Sequence, residues 1–166
     1  GKTNNKFQYF IVDFGSIHLI PTLCVYMALL PMIYALAYPG SELNSLDFLA
    51  AVIAVLAVVI QIISDQQMYN FRKNLREPQT MKSGLWYYSR HPNYFGEILF
   101  WFSLFIFALA SNLSFLWLLI GTLIMYFLIA IASVSMMDKR SLERRPDFKE
   151  YMDSTPAIFI NVFKKG

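Results

Sequence analysis

Across positions 113–137 about 25 consecutive residues carry no Asp, Glu, Lys or Arg. A helix of that length rises far enough to cross the hydrocarbon core of a bilayer, and only there-and-back helices or closed barrels satisfy every backbone hydrogen bond in lipid. The stretch therefore sets the solvent as well as the fold class: an all-α, polytopic membrane helix bundle. Composition agrees, with 57% hydrophobic residues, 15% charged residues and a mean hydropathy of +0.45.

Three further apolar runs complete the bundle. Positions 17–38 hold no charged side chain and are interrupted by Pro21 and Pro31; 46–63 contain FLAAVIAVLAVVIQII; 94–110 are rich in Phe and Trp. Four spans near 17–38, 46–63, 94–110 and 113–137 make one membrane domain over 1–166. An interfacial lead-in over 1–16, with Lys2, Lys6 and Asp13, precedes them, and a charged tail over 138–166 follows. Pro39, Gly40 and Ser41 form the first turn, and Glu42 and Asp47 mark it as acidic. The second helix is expected to outrun the bilayer through SDQQMYNFRKN, where Asp65, Tyr69 and Arg72 share a face by their spacing of four and three. Pro92 pushes His91 out of the α region and suits the first turn of a new helix.

The cations are unevenly placed. The amino end, the second loop (Arg72, Lys73, Arg76, Lys82, Arg90) and the tail are basic, the first loop is acidic and the third neutral. With four spans, the bias of Lys and Arg toward the cytoplasm puts both termini on that side and brings the 72–91 stretch and the tail onto one membrane face. The one cysteine, Cys24, excludes an internal disulfide, and cations confined to two loops do not make a nucleic-acid stripe. No HExxH, CxxC, GxGxxG, Walker loop or GxSxG occurs, so metal hydrolysis, Rossmann binding and serine hydrolysis have no support.

That shared face holds the parts of an anion-binding pocket at the mouth of the bundle. Guanidinium forks bind phosphate through paired hydrogen bonds, and a helix beginning at Pro92 adds backbone N–H donors. Arg140, Glu143 and Arg144 fall within one helical turn of each other. Glu97, one turn into an apolar helix, is costly to bury without a partner and suits an arginine, a ribose hydroxyl or an amide. A phosphorylated nucleotide fits this inventory.

The run SRHPNYFGE, preceded by SDQQMYNFRKN and followed after a span by KRSLERRPDFKEY, resembles the carboxyl-terminal part of the steroid 5-alpha-reductase family over roughly 64–160. The resemblance implies a membrane helix bundle with a cytoplasmic-face pocket for NADPH. It implies reduction of a polarised carbon–carbon double bond in a lipid such as a 3-oxo-Δ4 steroid. It also implies that Asp65 and Arg72 contact the cofactor from the extended helix, with Asn93 on the nicotinamide side and Glu97 on the ribose side. Arg90, His91 and Tyr94 match the corresponding turn of related sterol reductases, and Arg140, Glu143, Arg144 and Tyr151 fall in a tail that closes over the nucleotide. The family's substrate-gripping acid and tyrosine lie in helices ahead of this region, where this chain has one span before Leu46, so no catalytic acid is named. The chain opens on Gly1, as a processed or truncated piece would. Expected partners are a lipid or steroid substrate and membrane lipids, in the endoplasmic reticulum, another organelle or a bacterial inner membrane. More distantly the turn is similar to that of isoprenylcysteine carboxyl methyltransferases, which use S-adenosylmethionine, although NYFGE and KRSLERR stand closer to the reductases. A non-catalytic subunit of a larger membrane complex is the third reading.

Overall fold

The computed structural model describes residues 8–11, 13–40, 42–73, 75 and 77–161. Lys2, Lys6, Ser41 and Arg76 lie outside them. Four helical stretches are long and apolar enough to cross a membrane: Gln8–Ala37, Ser45–Lys73, Pro92–Ser111 and Leu113–Arg144. No strand occurs among the described residues. Helix α1 is Ile20–Ala37, entered through a π-helical turn at Phe14–Leu19, and α2 is Ser45–Lys73. A single turn, α3, covers Leu85–Tyr88, and α4 runs over Pro92–Ser111. The last span is compound: a 3₁₀ segment Leu113–Leu118, α5 at Leu119–Phe127, a π-helical segment Leu128–Val134, and α6 at Ser135–Arg144. Helix α7 is Phe148–Ser154.

Two boundaries differ from the sequence expectation. The first span begins at Gln8, not 17, because Asp13 is the sole charge ahead of Pro21 in that stretch and one charge does not stop a helix. The wide turn over Phe14–Leu19 precedes Pro21, whose missing N–H such a turn accommodates. The last span continues to Arg144, so the helical turn expected around Arg140 is continuous with the span and not part of a separate tail. It ends at Arg145, held extended at φ −131° and ψ 111°, as expected for the residue before a proline. Helix α4 starts at Pro92 as expected, with His91 non-helical at φ −138°.

Helices α2 and α4 run antiparallel in the most extensive packing of the bundle. Helix α2 is apolar all round, so what selects its inner face is size. Ala50, Ala57 and Ser64 recur every seven residues and are fully buried. Small residues in such a seam let backbones approach, the main route to packing in lipid, where apolar surface is not driven together by water. Meanwhile Val52, Val55, Leu56, Val59 and Ile62 point outward, at no cost in a lipid solvent. Helix α1 lies against α4 and α5, and Gly121 of α5 abuts the backbone of Met27. At one end of the bundle Asn44 Nδ2 donates to the carbonyl of Ala110 at 2.8 Å, tying the first turn to the end of α4. Opposite, α3, the turn before α4 and the chain after α6 gather around a polar cavity.

Candidate functional site

The cavity is organised by a seam between the turn at 88–91 and the last described residues. Helix α3 is seated first: Gly84 has φ +63°, Gln67 Oε1 accepts from the Leu85 amide at 3.0 Å, and Trp86 Nε1 donates to the Ser64 carbonyl at 3.0 Å. A Cβ on Gly84 would fall 2.6 Å from the Gln67 side chain, so the position needs glycine twice over. The chain beyond α7 then pairs with the turn. The amides of Arg90 and His91 donate to the carbonyls of Pro156 and Ala157 at 2.9 and 3.0 Å, and the Asn161 amide donates to Tyr88 at 3.1 Å. Ser89 Oγ donates to the Ile158 carbonyl at 2.8 Å, and the buried Tyr151 hydroxyl is shared between the carbonyls of Trp86 and Ser89.

One carboxylate from α6 completes the seam. Asp138 Oδ2 accepts from Arg90 Nη2 at 2.7 Å and Asp138 Oδ1 from His91 Nε2 at 2.9 Å. Arg90 Nη1 donates to the carbonyls of Thr155 and Met152 at 2.5 and 3.0 Å. These groups are all largely out of contact with solvent, where charge-assisted hydrogen bonds are strongest.

Between this seam, α2 and the start of α4 lies a cavity of about 360 Å³. Asp65, Tyr69, Arg72, Arg90, His91, Asn93, Tyr94 and Tyr151 line it, so most of the residues singled out in the sequence meet there. Arg145 also lines it, a residue that sequence reasoning passed over. Arg140, Glu143 and Arg144 do not: they are exposed on α6, although Arg144 borders an adjoining depression together with Arg72 and Arg145. Glu97 is half-buried one turn beyond Asn93 and is not part of the wall.

Electrostatically the site calls for an anion. Burial, then the neighbouring charge of Arg72, holds the Arg145 guanidinium below its ordinary value, with Arg144 adding to the effect and Asp147 opposing it. Among the described residues neither Arg72 nor Arg145 is in an ion pair. Burial pushes the Tyr151 phenol well up, so it stays a neutral hydrogen-bond donor. Among the described residues two buried polar atoms, Arg90 Nε and Asn93 Oδ1, have no hydrogen-bond partner, and a third, Trp101 Nε1, lies one turn beyond Glu97 on the same face of α4. No group of three or more His, Cys, Asp or Glu suited to a metal ion occurs among the described residues.

The family described as "Protein of unknown function (DUF1295)" matches residues 2–155. The chain belongs to that family. DUF1295 is a steroid 5-alpha-reductase-like family, in keeping with the turn and the helix order found here. A DUF1295 chain of this length is 24% identical, over 93% of its residues, to the uncharacterized protein C594.04c of Schizosaccharomyces pombe. It spans about half, 51%, of that curated relative. No solved structure matches it.

Proposed function

We propose that this DUF1295 protein binds NADPH in the polar cavity and takes part in the reduction of a carbon–carbon double bond in a lipid or steroid enone. The observation that carries the reading is the convergence of Arg72 and Arg145, from α2 and from the break after α6, on one cavity without an ion-pair partner for either among the described residues. Arg145 is half-buried and Arg72 exposed at the cavity mouth; two like charges on one cavity repel, and a phosphate between them would offset that repulsion.

The residues present fit the nucleotide in kind as well as charge. Arg72 and Arg145 would hold phosphate oxygens, Asp65 would accept from ribose hydroxyls, and Asn93 would take the carboxamide. Asn93 Oδ1, an acceptor, and Arg90 Nε, a donor, are buried and have no partner among the described residues, on two side chains that border the cavity. The volume is in the range of small-molecule sites and suits one half of a dinucleotide. When bound, NADPH supplies a hydride; the chain's own part is to hold, orient and shield it from water. The bias of Lys and Arg toward the cytoplasm supports a cytoplasmic mouth for this cavity. The substrate-side acid is assigned to no residue of this chain, which covers half of its curated relative.

The test is transfer of label. The detergent-solubilised protein is incubated with NADPH deuterated at the nicotinamide C4 position and a 3-oxo-Δ4 steroid, and in parallel with methyl-labelled S-adenosylmethionine and an isoprenylcysteine. Deuterium at the β carbon of the reduced enone supports the reading. Label from the methyl donor, or from neither, overturns it.

A further inference from the structure

Asp138 is buried, carries a formal charge and does not itself border the cavity. We propose that it is the positioning residue of this site, setting Arg90 and His91 in the orientation in which they meet a ligand.

A carboxylate can only accept hydrogen bonds, so the 2.9 Å contact requires His91 Nε2 to carry a proton. That fixes the ring, which stacks on Tyr94 with centroids 5.5 Å apart and planes 20° from parallel, and both rings form cavity wall. The Arg90 fork is divided in the same way. Asp138 takes Nη2, the carbonyls of Met152 and Thr155 take Nη1, and Nε is a buried donor without a partner among the described residues. Fixing the outer nitrogens in this way holds the guanidinium that borders the cavity in one orientation. Remove the carboxylate and both side chains lose their reference point, and the segment after α7 loses the clamp that Arg90 provides. The role rests on the nucleotide reading for its ligand but not for its geometry.

The experiment uses the full chain in detergent with His18→Gln, which leaves His91 as the one histidine. Asp138→Leu removes both acceptors. Should that variant not fold, Asp138→Asn leaves one oxygen for two partners. Two quantities are read: the ¹⁵N ring signal of His91, which reports the protonated nitrogen, and the dissociation constant for NADPH. The folded variant is expected to lose the Nε2-protonated signature and to bind NADPH at least about tenfold more weakly, the scale of one charged hydrogen bond. Arg140→Ala, on the exposed side of the same helix, changes neither. A wild-type ring signal, or wild-type affinity, in a folded Asp138 variant overturns the proposal. If the parent protein binds no NADPH, the nucleotide reading fails by itself, and the ring signal alone decides the role of Asp138.

Discussion

Gly96 of α4 stands so close to Ala57 of α2 that a Cβ on it would lie 2.7 Å from the Ala57 carbonyl oxygen. This backbone-to-backbone approach indexes the start of α4 against the middle of α2. It thereby places Asn93 and Tyr94 across from Asp65 and Arg72, which lie about two to four turns further along α2. The cavity is a consequence of that contact.

Gly96→Ala should therefore destabilise the bundle, although alanine is the better helix former by about 0.5–1 kcal/mol. Overpacking of a tight interior contact costs about 1–3 kcal/mol, which exceeds that gain. Thermal denaturation in detergent should show a lowered midpoint for Gly96→Ala and a larger fall for Gly96→Leu. An unchanged midpoint for both would mean that the helices are not in contact here.

Tyr151→Phe strips the hydroxyl that serves the carbonyls of Trp86 and Ser89 and should cost about 1–3 kcal/mol at neutral pH. The effect has a defined pH dependence. Burial raises the folded phenol above its unfolded value of about 10, so the neutral form is favoured in the fold. Its contribution is complete below that pH and is lost as pH rises through the folded value. Denaturant titrations of wild type and variant should keep a constant gap from neutral pH to about 10 and converge above it. A gap that widens with alkali would contradict the buried, neutral phenol.

On the acid side the group to watch is Asp147. Partial burial alone would raise its carboxyl, but the hydrogen bond from Thr80 Oγ1 at 2.8 Å and Lys82 at 3.3 Å outweigh it, leaving the carboxyl below its ordinary value. The stability it adds is present above the unfolded value of about 3.9 and lost as pH falls through the folded one. Lys82 and Asp147 are 42% and 39% exposed, so the pair is worth no more than about 1 kcal/mol and is screened by salt. Asp147→Asn should be slightly less stable than wild type at pH 7, and by chemical denaturation the difference should shrink as pH falls below the unfolded value of about 3.9. A difference that persists in acid would show that Asp147 acts through packing and not through charge.

Much of this was legible in the sequence where the signal was local. Apolar length marked the four spans, two of them without any charge, Pro92 marked the start of α4, and the spacing of Asp65 and Arg72 put them on one face of an extended α2. Face selection was less visible. Arg140, Glu143 and Arg144 share a helical turn, but α6 is charged on most sides, and which side turns inward depends on what it packs against. Arg145 was overlooked for the opposite reason: it precedes Pro146, leaves the helix and so points away from its neighbours, a signal the proline already carried. Asp138 was read as the first residue of a tail, although a carboxylate closing an apolar run needs a partner as much as Glu97 does. The Ala50, Ala57, Ser64 seam was hidden because α2 is apolar on every side, leaving residue size as the one cue.

The most direct measurement is the affinity for NADPH, by equilibrium binding to the detergent-solubilised protein, compared across Arg72→Ala, Arg145→Ala and Arg140→Ala. Arg72→Ala and Arg145→Ala should each weaken binding by about tenfold or more, and higher salt should weaken the parent most, while Arg140→Ala leaves the affinity as it was. Equal binding in all four proteins, or a loss confined to Arg140→Ala, would contradict a nucleotide held between Arg72 and Arg145.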